Sequence, residues 1–286
     1  MLSAKDNELL TRTGPGTPMG ELFRRFWLPA LLAEELPAPD CPPVTFRILG
    51  EDLVAFRDTS GRIAFVQEHC PHRRASLWFG RNEESGLRCV YHGWKFDVEG
   101  RCVEMPTEPA SSSYKDRIQL TAYPGADWGG MIWIYMGPQD RRPPLPHYDW
   151  CVQPATPHLR VWKWIQDANY AQGLEGNIDS AHVPFLHRWF NQPIFGVSEN
   201  QVDGAPELSV QETEFGFVYG ARRRRPDHRF HWRLTPFVLP VFTTIPGPGG
   251  GPGAGFFVLP MDDEHAWWWT ITSGPRPASA DGPPYV

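Results

Sequence analysis

The sequence predicts an α+β protein, in which an all-β domain is followed by a second domain of helices and strands. Short runs that alternate between apolar and polar residues, such as VTFRIL and DLVAFRD, begin at residue 44, and this alternation is typical of half-buried strands. A proline-rich stretch at 141–150 is typical of a linker. Beyond it, a segment without alternation precedes a further set of strand-like runs, which indicates a sheet with helices.

The composition is that of an ordinary globular protein, with 41% hydrophobic and 21% charged residues among 286. The net charge of -6 argues against a nucleic-acid partner. The N-terminal residues lack a signal-peptide core and no apolar stretch is long enough to span a membrane, so we expect a cytoplasmic protein. Five cysteines, two of them in ligand-like spacing, favour metal binding over disulfides in a reducing compartment.

In chain order, residues 18–36 predict a short amphipathic helix that is broken at Pro29. An antiparallel β domain follows, in which Ser60-Gly61 and Glu99-Gly100 occupy hairpin turns. We expect a lead segment at 1–43, the β domain at 44–148 and the second domain at 149–286.

The second domain begins with a segment of different character. WKWIQDANYAQGLEGNIDSA lacks strand alternation and predicts helix up to about Ala181. Strand-like runs resume at ELSVQET and continue to HAWWWTIT. This order predicts helices packed on a sheet.

Four potential metal ligands stand in two pairs, Cys70 with His72 and Cys89 with His92. Zinc would take all four around one tetrahedral ion. A Rieske [2Fe–2S] cluster would place both thiolates on one iron and both imidazoles on the other. Iron is favoured, because each pair holds one Cys and one His inside a β region, whereas zinc fingers usually pair like ligands and fold a helix across the metal.

The two pairs and their neighbours, CPH at 70–72 and CVYHGW at 89–94, resemble the two ligand loops of Rieske proteins. Two neutral histidines in place of thiolates raise the reduction potential of such a cluster. Arg73, Trp94 and nearby backbone amides are candidates to tune it. The alternative for both side chains is plain packing and a solvated charge.

A second candidate metal site lies in GLEGNIDSAHVPFLH, where Asp179, His182 and His187 are spaced Asp-x2-His-x4-His. On a helix, Asp179 and His182 would share a face. The two histidines would not, because five residues turn about 140° and rise about 7.5 Å. Pro184 disfavours helix at the preceding residue, so we expect the chain to leave the helix there and fold His187 back toward His182. Two histidines and a carboxylate with open positions would form a non-haem Fe(II) site.

This segment resembles the mononuclear-iron segment of Rieske non-haem iron aromatic-ring-hydroxylating oxygenases, particularly the alpha subunits of the phthalate-dioxygenase-like branch. The resemblance extends from about residue 14 to the end. It implies a helix-grip catalytic domain, an antiparallel sheet with helices, in which His182 and His187 bind iron. It also implies that Asp179 is not a ligand but a bridge from His182 to a cluster histidine, His92 or His72, of a neighbouring subunit. A head-to-tail ring, commonly a homotrimer, follows from the resemblance.

One feature of the family pattern is missing. The family's third iron ligand is an aspartate on a C-terminal helix well over a hundred residues after the histidines, whereas this sequence ends at Val286. The remaining candidates are carboxylates, and we expect the first three to lie in a hairpin turn instead: Asp262, Asp263, Glu264 and Asp281. We therefore expect a catalytic domain that lacks its C-terminal part, with an iron site of two histidines.

The function implied by the resemblance is that of the terminal oxygenase component of a multicomponent system. A NAD(P)H-dependent flavin/iron–sulfur reductase would supply electrons, and O2 would serve to hydroxylate or O-demethylate an aromatic substrate. A carboxylated substrate could be held by one of Arg222–Arg225, although a solvated edge also explains that run. Two alternatives stay open: an electron-transfer Rieske protein whose iron site is non-functional, and a structural zinc protein.

Overall fold

The computed structural model describes residues 2–148, 160–186, 203–225, 227–245 and 254–272. It divides into two compact units, Met1–Val152 with Met261–Asp263 and Gln153–Pro260 with Glu264–Val286. The predicted fold class is confirmed: a β-rich unit is followed by a unit in which helices accompany a sheet.

The first unit begins with two short helices, α1 (Ala4–Thr11) and α2 (Pro18–Phe23). The Thr17 side chain caps α2, and Pro18 takes the first helical position, where its missing N–H costs nothing. Ten strands follow in the described part of this unit: β1 Trp27–Leu32, β2 Val44–Ile48, β3 Glu51–Arg57, β4 Ile63–Gln67, β5 Arg81–Glu83, β6 Gly86–Arg88, β7 Lys95–Phe96, β8 Cys102–Glu104, β9 Ala122–Trp128 and β10 Met131–Tyr135.

The prediction of a helix over residues 18–36 was wrong for the second half of that range. The helix ends at Phe23, and Trp27–Leu32 forms β1, which pairs antiparallel with β10. A short apolar run does not distinguish a strand from a helix by periodicity alone. Pro29 is tolerated because β1 is an edge strand, where a missing N–H need not interrupt the ladder.

The described strands of the first unit form two antiparallel sheets, one in the order β1-β10-β9-β4-β3-β2 and one in the order β5-β6-β7-β8. Both predicted hairpin turns are confirmed. Gly61 lies between β3 and β4 with φ +86°, and Gly100 lies between β7 and β8 with φ +79°. Glycine adopts this left-handed conformation without the penalty that a Cβ brings.

The hydrophobic core of the first unit contains two of the predicted ligands. Cys70 and Cys89 are both 2% exposed and belong to a buried cluster that also includes Trp94, Phe96 and Cys102. The ligand pairs are therefore anchored in the core of this unit.

The described strands of the second unit form a seven-stranded antiparallel sheet in the order β11-β17-β16-β15-β14-β13-β12. Its described helices are α3 (Tyr170–Ile178) and α4 (Val183–Leu186). Its strands are β11 Arg160–Gln166, β12 Glu207–Thr213, β13 Gly216–Arg224, β14 Phe230–Val238, β15 Phe242–Ile245, β16 Ala254–Pro260 and β17 Ala266–Thr272.

The prediction of a helix that starts at WKWIQD, residues 162–167, was also wrong for those first residues. Arg160–Gln166 is strand β11, and it pairs with β17 along its whole length. Helix α3 begins only at Tyr170, capped by the side chain of Asn169. Tryptophan, valine and isoleucine favour strands, and β17 provides an edge on which this run can pair.

Helix α3 approaches the sheet closely at Gly173. A Cβ atom at this position would lie 2.9 Å from Val258 and 3.1 Å from Trp268, so only glycine fits without a shift of the neighbours. Across the described ranges, no helix has the length and apolar content needed to cross a membrane.

Candidate metal centres

The first ligand loop, residues 70–75, closes on itself through backbone hydrogen bonds. The N–H of Cys70 donates to the carbonyl of Ala75 at 2.9 Å, and the N–H of Arg74 donates to the carbonyl of Cys70 at 2.9 Å. Arg74 has φ +60°, a conformation that costs a non-glycine residue about 1–2 kcal/mol. The loop is therefore a tight turn that starts at Cys70.

The second ligand loop, residues 89–94, repeats this pattern. The N–H of Cys89 donates to the carbonyl of Trp94 at 2.9 Å, and the N–H of Gly93 donates to the carbonyl of Cys89 at 3.0 Å. Gly93 has φ +76°, at the position that Arg74 occupies in the first loop. Each predicted ligand pair is thus held by the same backbone turn.

The two loops bring the histidine rings together. The centroids of His72 and His92 are 4.4 Å apart. Within the described part of the chain, Nδ1 of each ring is buried and has no hydrogen-bond partner. A buried polar atom without a partner costs about 1–3 kcal/mol. Both nitrogens therefore fit the role of metal ligands.

The two cysteines also lie together. Burial raises the pKa of the Cys70 thiol to about 11, and Cys89 acts in the same direction through its charge and a side-chain hydrogen bond. Backbone N–H groups of His72 and Arg73 oppose the shift as hydrogen-bond donors to Cys70. Such N–H donors are suited to a thiolate bound to iron.

The donor set fits a [2Fe–2S] cluster, which needs two thiolates and two neutral imidazoles. Desolvation lowers the pKa of His72, as do the charges of His92 and Arg73, so the neutral, metal-binding form of His72 is favoured. Among the described residues, no three His, Cys, Asp or Glu side chains form a group suited to one metal ion. A cluster takes two protein ligands on each iron.

The neighbours proposed to tune the cluster differ in their positions. Trp94 is buried and stacks on His72, with ring centroids 4.6 Å apart and planes 5° apart. Arg73 is exposed, and its contribution is the positive charge that it adds near His72. A contact that sequence reasoning missed is that of Tyr91 with His92, whose ring centroids are 4.0 Å apart.

In the second unit, Asp179 and His182 are in direct contact. Oδ2 of Asp179 lies 2.7 Å from Nδ1 of His182 and also accepts the backbone N–H of His182 at 3.0 Å. Oδ1 accepts the N–H of Ala181 at 2.8 Å. Desolvation acts to raise the pKa of the Asp179 carboxyl, but these hydrogen bonds outweigh it and lower the pKa. If His182 binds a metal, it does so through Nε2.

The geometry behind this contact differs from the prediction. Helix α3 ends at Ile178, so Asp179 and His182 meet across a turn and not on one helical face. The break therefore precedes Val183 instead of occurring there, and α4 begins at that residue. The Asp179 carboxylate stabilises the turn by accepting N–H groups that a continuing helix would have paired.

Two buried arginines contact the same turn. Nη1 of Arg223 donates to Oγ of Ser180 at 2.9 Å, Nη2 donates to the Ser180 carbonyl, and Nε donates to the Asp203 carbonyl at 3.1 Å. Nη1 of Arg233 donates to the Asp179 carbonyl at 3.2 Å. Desolvation lowers the pKa of Arg233 to about 10. Sequence reasoning missed both contacts, because Arg223 was one of four consecutive arginines and Arg233 one charge in a strand.

The carboxylates considered as a third iron ligand do not all lie in the described part of the chain. Asp262 and Asp263 lie between β16 and β17, as expected for a turn, and accept from Arg47 at 3.1 Å and from Arg12 at 2.7 Å. Both carboxylates are thus engaged in ion pairs. The predicted ligand His187 and the candidate Asp281 lie outside the described residues.

Comparison with known proteins agrees with both halves of this description. Residues 26–124 match the family model of the Rieske [2Fe-2S] domain, and residues 134–282 match that of the LigXa C-terminal domain like family. The chain is 43% identical to the phthalate 4,5-dioxygenase oxygenase subunit of Pseudomonas putida, over 96% of this chain and 65% of that protein. It is 39% identical to the 3-chlorobenzoate-3,4-dioxygenase oxygenase subunit of Comamonas testosteroni, over 96% of this chain and 66% of that protein.

Solved structures agree at the level of the fold. Dicamba monooxygenase bound to 3,6-dichlorosalicylic acid has a TM-score of 0.69 and 20% identity, covering 88% of this chain and 78% of that one. The chain spans about two thirds of the length of the two relatives above. Its Rieske domain indicates a [2Fe–2S] cluster, and its relatives imply a mononuclear non-haem iron. The chain therefore belongs to the Rieske non-haem iron oxygenases, in the phthalate-dioxygenase-like branch.

Proposed function

We propose that this chain is the terminal oxygenase component of a multicomponent system that hydroxylates or O-demethylates an aromatic substrate. When bound, the [2Fe–2S] cluster carries single electrons and the mononuclear iron activates dioxygen. The observation that supports this most directly is the 2.7 Å contact between Asp179 and His182, in a unit that follows two Cys–His ligand loops.

In this proposal, Cys70 and Cys89 hold one iron of the cluster, and His72 and His92 hold the other. The orphaned Nδ1 atoms of both histidines, among the described residues, support this assignment. The thiols of Cys70 and Cys89 are buried, and solvent exposure is one of the factors that set the reduction potential of such a cluster.

His182 and His187 are proposed to bind the mononuclear iron, with Asp179 holding the His182 ring. The carboxylate keeps the proton of His182 on Nδ1, which fixes the tautomer and turns Nε2 toward a metal. The Asp179 side chain is 40% exposed, so it has room for a second partner. We propose that this partner is His92 or His72 of a neighbouring subunit in a homotrimer.

The exposed tip of the second ligand loop suits such a contact between subunits. Val90 and Tyr91 are 48% and 63% exposed, although they lie between the proposed ligands Cys89 and His92 and Cys89 is buried in the core. These two side chains would contribute apolar and aromatic contact area to such an interface.

We propose an aromatic carboxylate as the substrate class, because phthalate and 3-chlorobenzoate, which name two relatives, are both aromatic carboxylates. Of the four arginines in Arg222–Arg225, Arg223 is the buried one and borders the Asp179 turn. Arg222 instead pairs with Glu207. All three nitrogens of the Arg223 guanidinium group already donate to Ser180 and Asp203, so we assign none of the four arginines to the substrate carboxylate.

Electrons are proposed to come from a NAD(P)H-dependent flavin/iron–sulfur reductase, directly or through a ferredoxin. A cytoplasmic location would match this supply of reduced nicotinamide. It also matches the free cysteines of the described residues, which include Cys41 and Cys102 besides the two ligands.

The test has two steps. Metal content and the visible spectrum of anaerobically purified protein should show about three irons per chain and a red-brown [2Fe–2S] spectrum. The chemically reduced protein should then consume O2 when an aromatic carboxylate such as phthalate is added, and less with the matching diamide. Zinc with no colour would overturn the cluster assignment. About two irons with no substrate-dependent uptake would instead support electron transfer alone.

A further inference from the structure

Two buried cations bracket the second ligand loop. Arg88 directly precedes Cys89, and Lys95 directly follows Trp94. The two residues stand opposite each other on the paired strands β6 and β7. Arg88 is 9% exposed and Lys95 is 4% exposed. Burying two positive charges side by side costs free energy unless anions compensate them. The carboxylates that pair with these two cations therefore determine whether this arrangement is stable.

Glu104 compensates both cations at once. Nη2 of Arg88 donates to Oε2 of Glu104 at 2.7 Å, and Nζ of Lys95 forms an ion pair with Oε1. Glu104 stands opposite Lys95 on the neighbouring strand β8. The hydrogen bond from Lys95 is the main factor that lowers the pKa of the Glu104 carboxyl, so the carboxylate is charged at neutral pH.

Further carboxylates complete the network from the other side. Nε of Arg88 donates to Glu83 at 2.6 Å, and Nζ of Lys95 donates to Glu84 at 3.2 Å. These two belong to the β5–β6 hairpin. Glu83 pairs with Arg88, and Glu84 lies closer to Lys95, at 3.2 Å, than to Arg88, at 3.6 Å. Glu104 differs from them because it bonds to both cations at short range.

Arg88 transmits this arrangement to the ligand loop. Its Nη1 donates to the carbonyl of Gly93 at 3.0 Å, and Gly93 is the residue that follows His92. Gly93 also closes the loop, because its N–H donates to the carbonyl of Cys89. The carboxylate of Glu104 therefore orients a guanidinium group that binds the carbonyl of Gly93, the residue after the proposed ligand His92.

We propose that Glu104 is a positioning residue for the [2Fe–2S] cluster, acting through Arg88 and Lys95 on the loop that contains Cys89 and His92. This inference rests on the ligand roles proposed above. The reduction potential of such a cluster depends on net charge and hydrogen bonding around it. Loss of the negative charge of Glu104 should raise the potential, whereas loss of the positive charge of Lys95 should lower it.

The test measures the midpoint potential and the electron paramagnetic resonance spectrum of the cluster in the whole, iron-loaded protein. Glu104→Gln should shift the potential upward and Lys95→Gln should shift it downward. Glu99→Gln is the matched control, because Glu99 also pairs with two arginines and its side chain is 49% exposed against 43% for Glu104. It lies in the turn at the other end of the β7–β8 hairpin, so its variant should keep the wild-type potential.

Shifts of opposite sign support the proposal, and Glu104→Asp, which retains the charge, should return the potential toward the wild-type value. Shifts of the same sign, or variants that match Glu99→Gln, would overturn it. If Glu104→Gln does not retain iron, Lys95→Gln provides the test. A lowered reduction potential in that variant supports the proposal, and an unchanged potential contradicts it. Wild-type protein without a [2Fe–2S] spectrum would overturn the proposed function itself, whereas a normal spectrum with unmoved potentials overturns only the role of Glu104.

Discussion

The ring centroids of His72 and His92 lie 4.4 Å apart. Each ring contains a buried Nδ1 atom that has no hydrogen-bond partner within the described residues. Leaving two such nitrogens unpaired side by side costs about 1–3 kcal/mol each. The same two residues follow Cys70 and Cys89, whose thiols interact with each other. The cost is understandable if these four side chains bind the cluster that the family model indicates.

Replacement of a thiol ligand should remove the cluster. We expect Cys89→Ser to lose most of its iron and its red-brown colour, because a serine hydroxyl is not ionised at neutral pH and is a poor substitute for a thiolate. The measurement is iron and sulfide content per chain together with the visible spectrum.

Cys102 provides the matched control for this substitution. It lies in the same buried core as Cys89 and is 5% exposed, and burial raises the pKa of its thiol to about 11. Its Sγ donates to the carbonyl of Glu104 at 3.4 Å, a bond that serine can also make. Cys102→Ser should therefore keep the colour. Equal iron loss in both variants would argue against a ligand role for Cys89.

The second ligand loop should be sensitive to a single methyl group at Gly93. A Cβ there would lie 2.7 Å from Cγ of Pro106, and the φ of +76° is itself unfavourable for alanine. We expect Gly93→Ala to lower the free energy of unfolding by more than the roughly 1–2 kcal/mol that the backbone conformation alone costs. Iron content should fall with it, because the neighbouring residue is His92. Denaturant unfolding and iron analysis measure the two effects.

Gly130→Ala distinguishes the cost of the backbone conformation from the effect of the contact with Pro106. Gly130 has φ +78°, and a Cβ there would meet no atom of the described residues within 4 Å. This variant should show the cost of the backbone conformation and no loss of iron. If Gly93→Ala behaves in the same way, the contact with Pro106 does not constrain the loop.

The ligand loops could be predicted from the sequence because their structure is local. Each loop closes through hydrogen bonds between residues at most five positions apart, so the spacing of the ligands within it defines the turn. The strand at Trp27–Leu32 could not be predicted in the same way, because its strand character depends on pairing with Met131–Tyr135, about a hundred residues later. Tertiary pairing overrides local preference in such short apolar runs.

The second site shows the same limit. The spacing indicated correctly that Asp179 and His182 would be neighbours, but it placed them on a helix that ends before Asp179. The contacts of Arg223 with Ser180 join positions 43 residues apart, and no periodicity in the sequence reports them. Charged residues in the middle of strands were the available signal, and they indicate a buried polar contact without naming the partner.

Arg223 should not be replaceable by lysine. Its three donor groups satisfy the Ser180 carbonyl, the Ser180 hydroxyl and the Asp203 carbonyl, and an ammonium group cannot reach all three from one position. We expect Arg223→Lys to lower the free energy of unfolding by about 1–3 kcal/mol, because buried acceptors lose their donors. Urea unfolding of the iron-loaded protein provides the measurement.

Arg222→Lys is the control for that substitution. Arg222 is the adjacent residue of the same strand, and it pairs with Glu207, whose side chain is 61% exposed. An ion pair of this kind contributes about 0–1 kcal/mol, and lysine can preserve it. A loss of stability as large as that of Arg223→Lys would mean that the strand tolerates no lysine at either position, and would remove the argument for the Ser180 contact.

The sharpest test of the second site is Asp179→Asn, which keeps the shape of the side chain and removes its charge. The amide can still accept one hydrogen bond, so we expect iron to remain bound at both sites. It no longer stabilises the proton on Nδ1 of His182, and an amide cannot link two imidazoles as a carboxylate does. Turnover should fall at least about 10–100-fold, the usual effect of removing such a partner. Substrate-dependent O2 uptake and iron content are measured on the same sample.

Asp227→Asn controls for the loss of one carboxylate in the same unit. Asp227 pairs with Arg229 at 2.6 Å, and its side chain is 40% exposed, as is that of Asp179. Its variant should turn over at the wild-type rate. Normal turnover in Asp179→Asn would remove the bridge from the proposed electron route. Slow turnover with full iron content would separate this role from metal binding, because a variant that had merely lost the mononuclear iron would contain about two irons per chain instead of three.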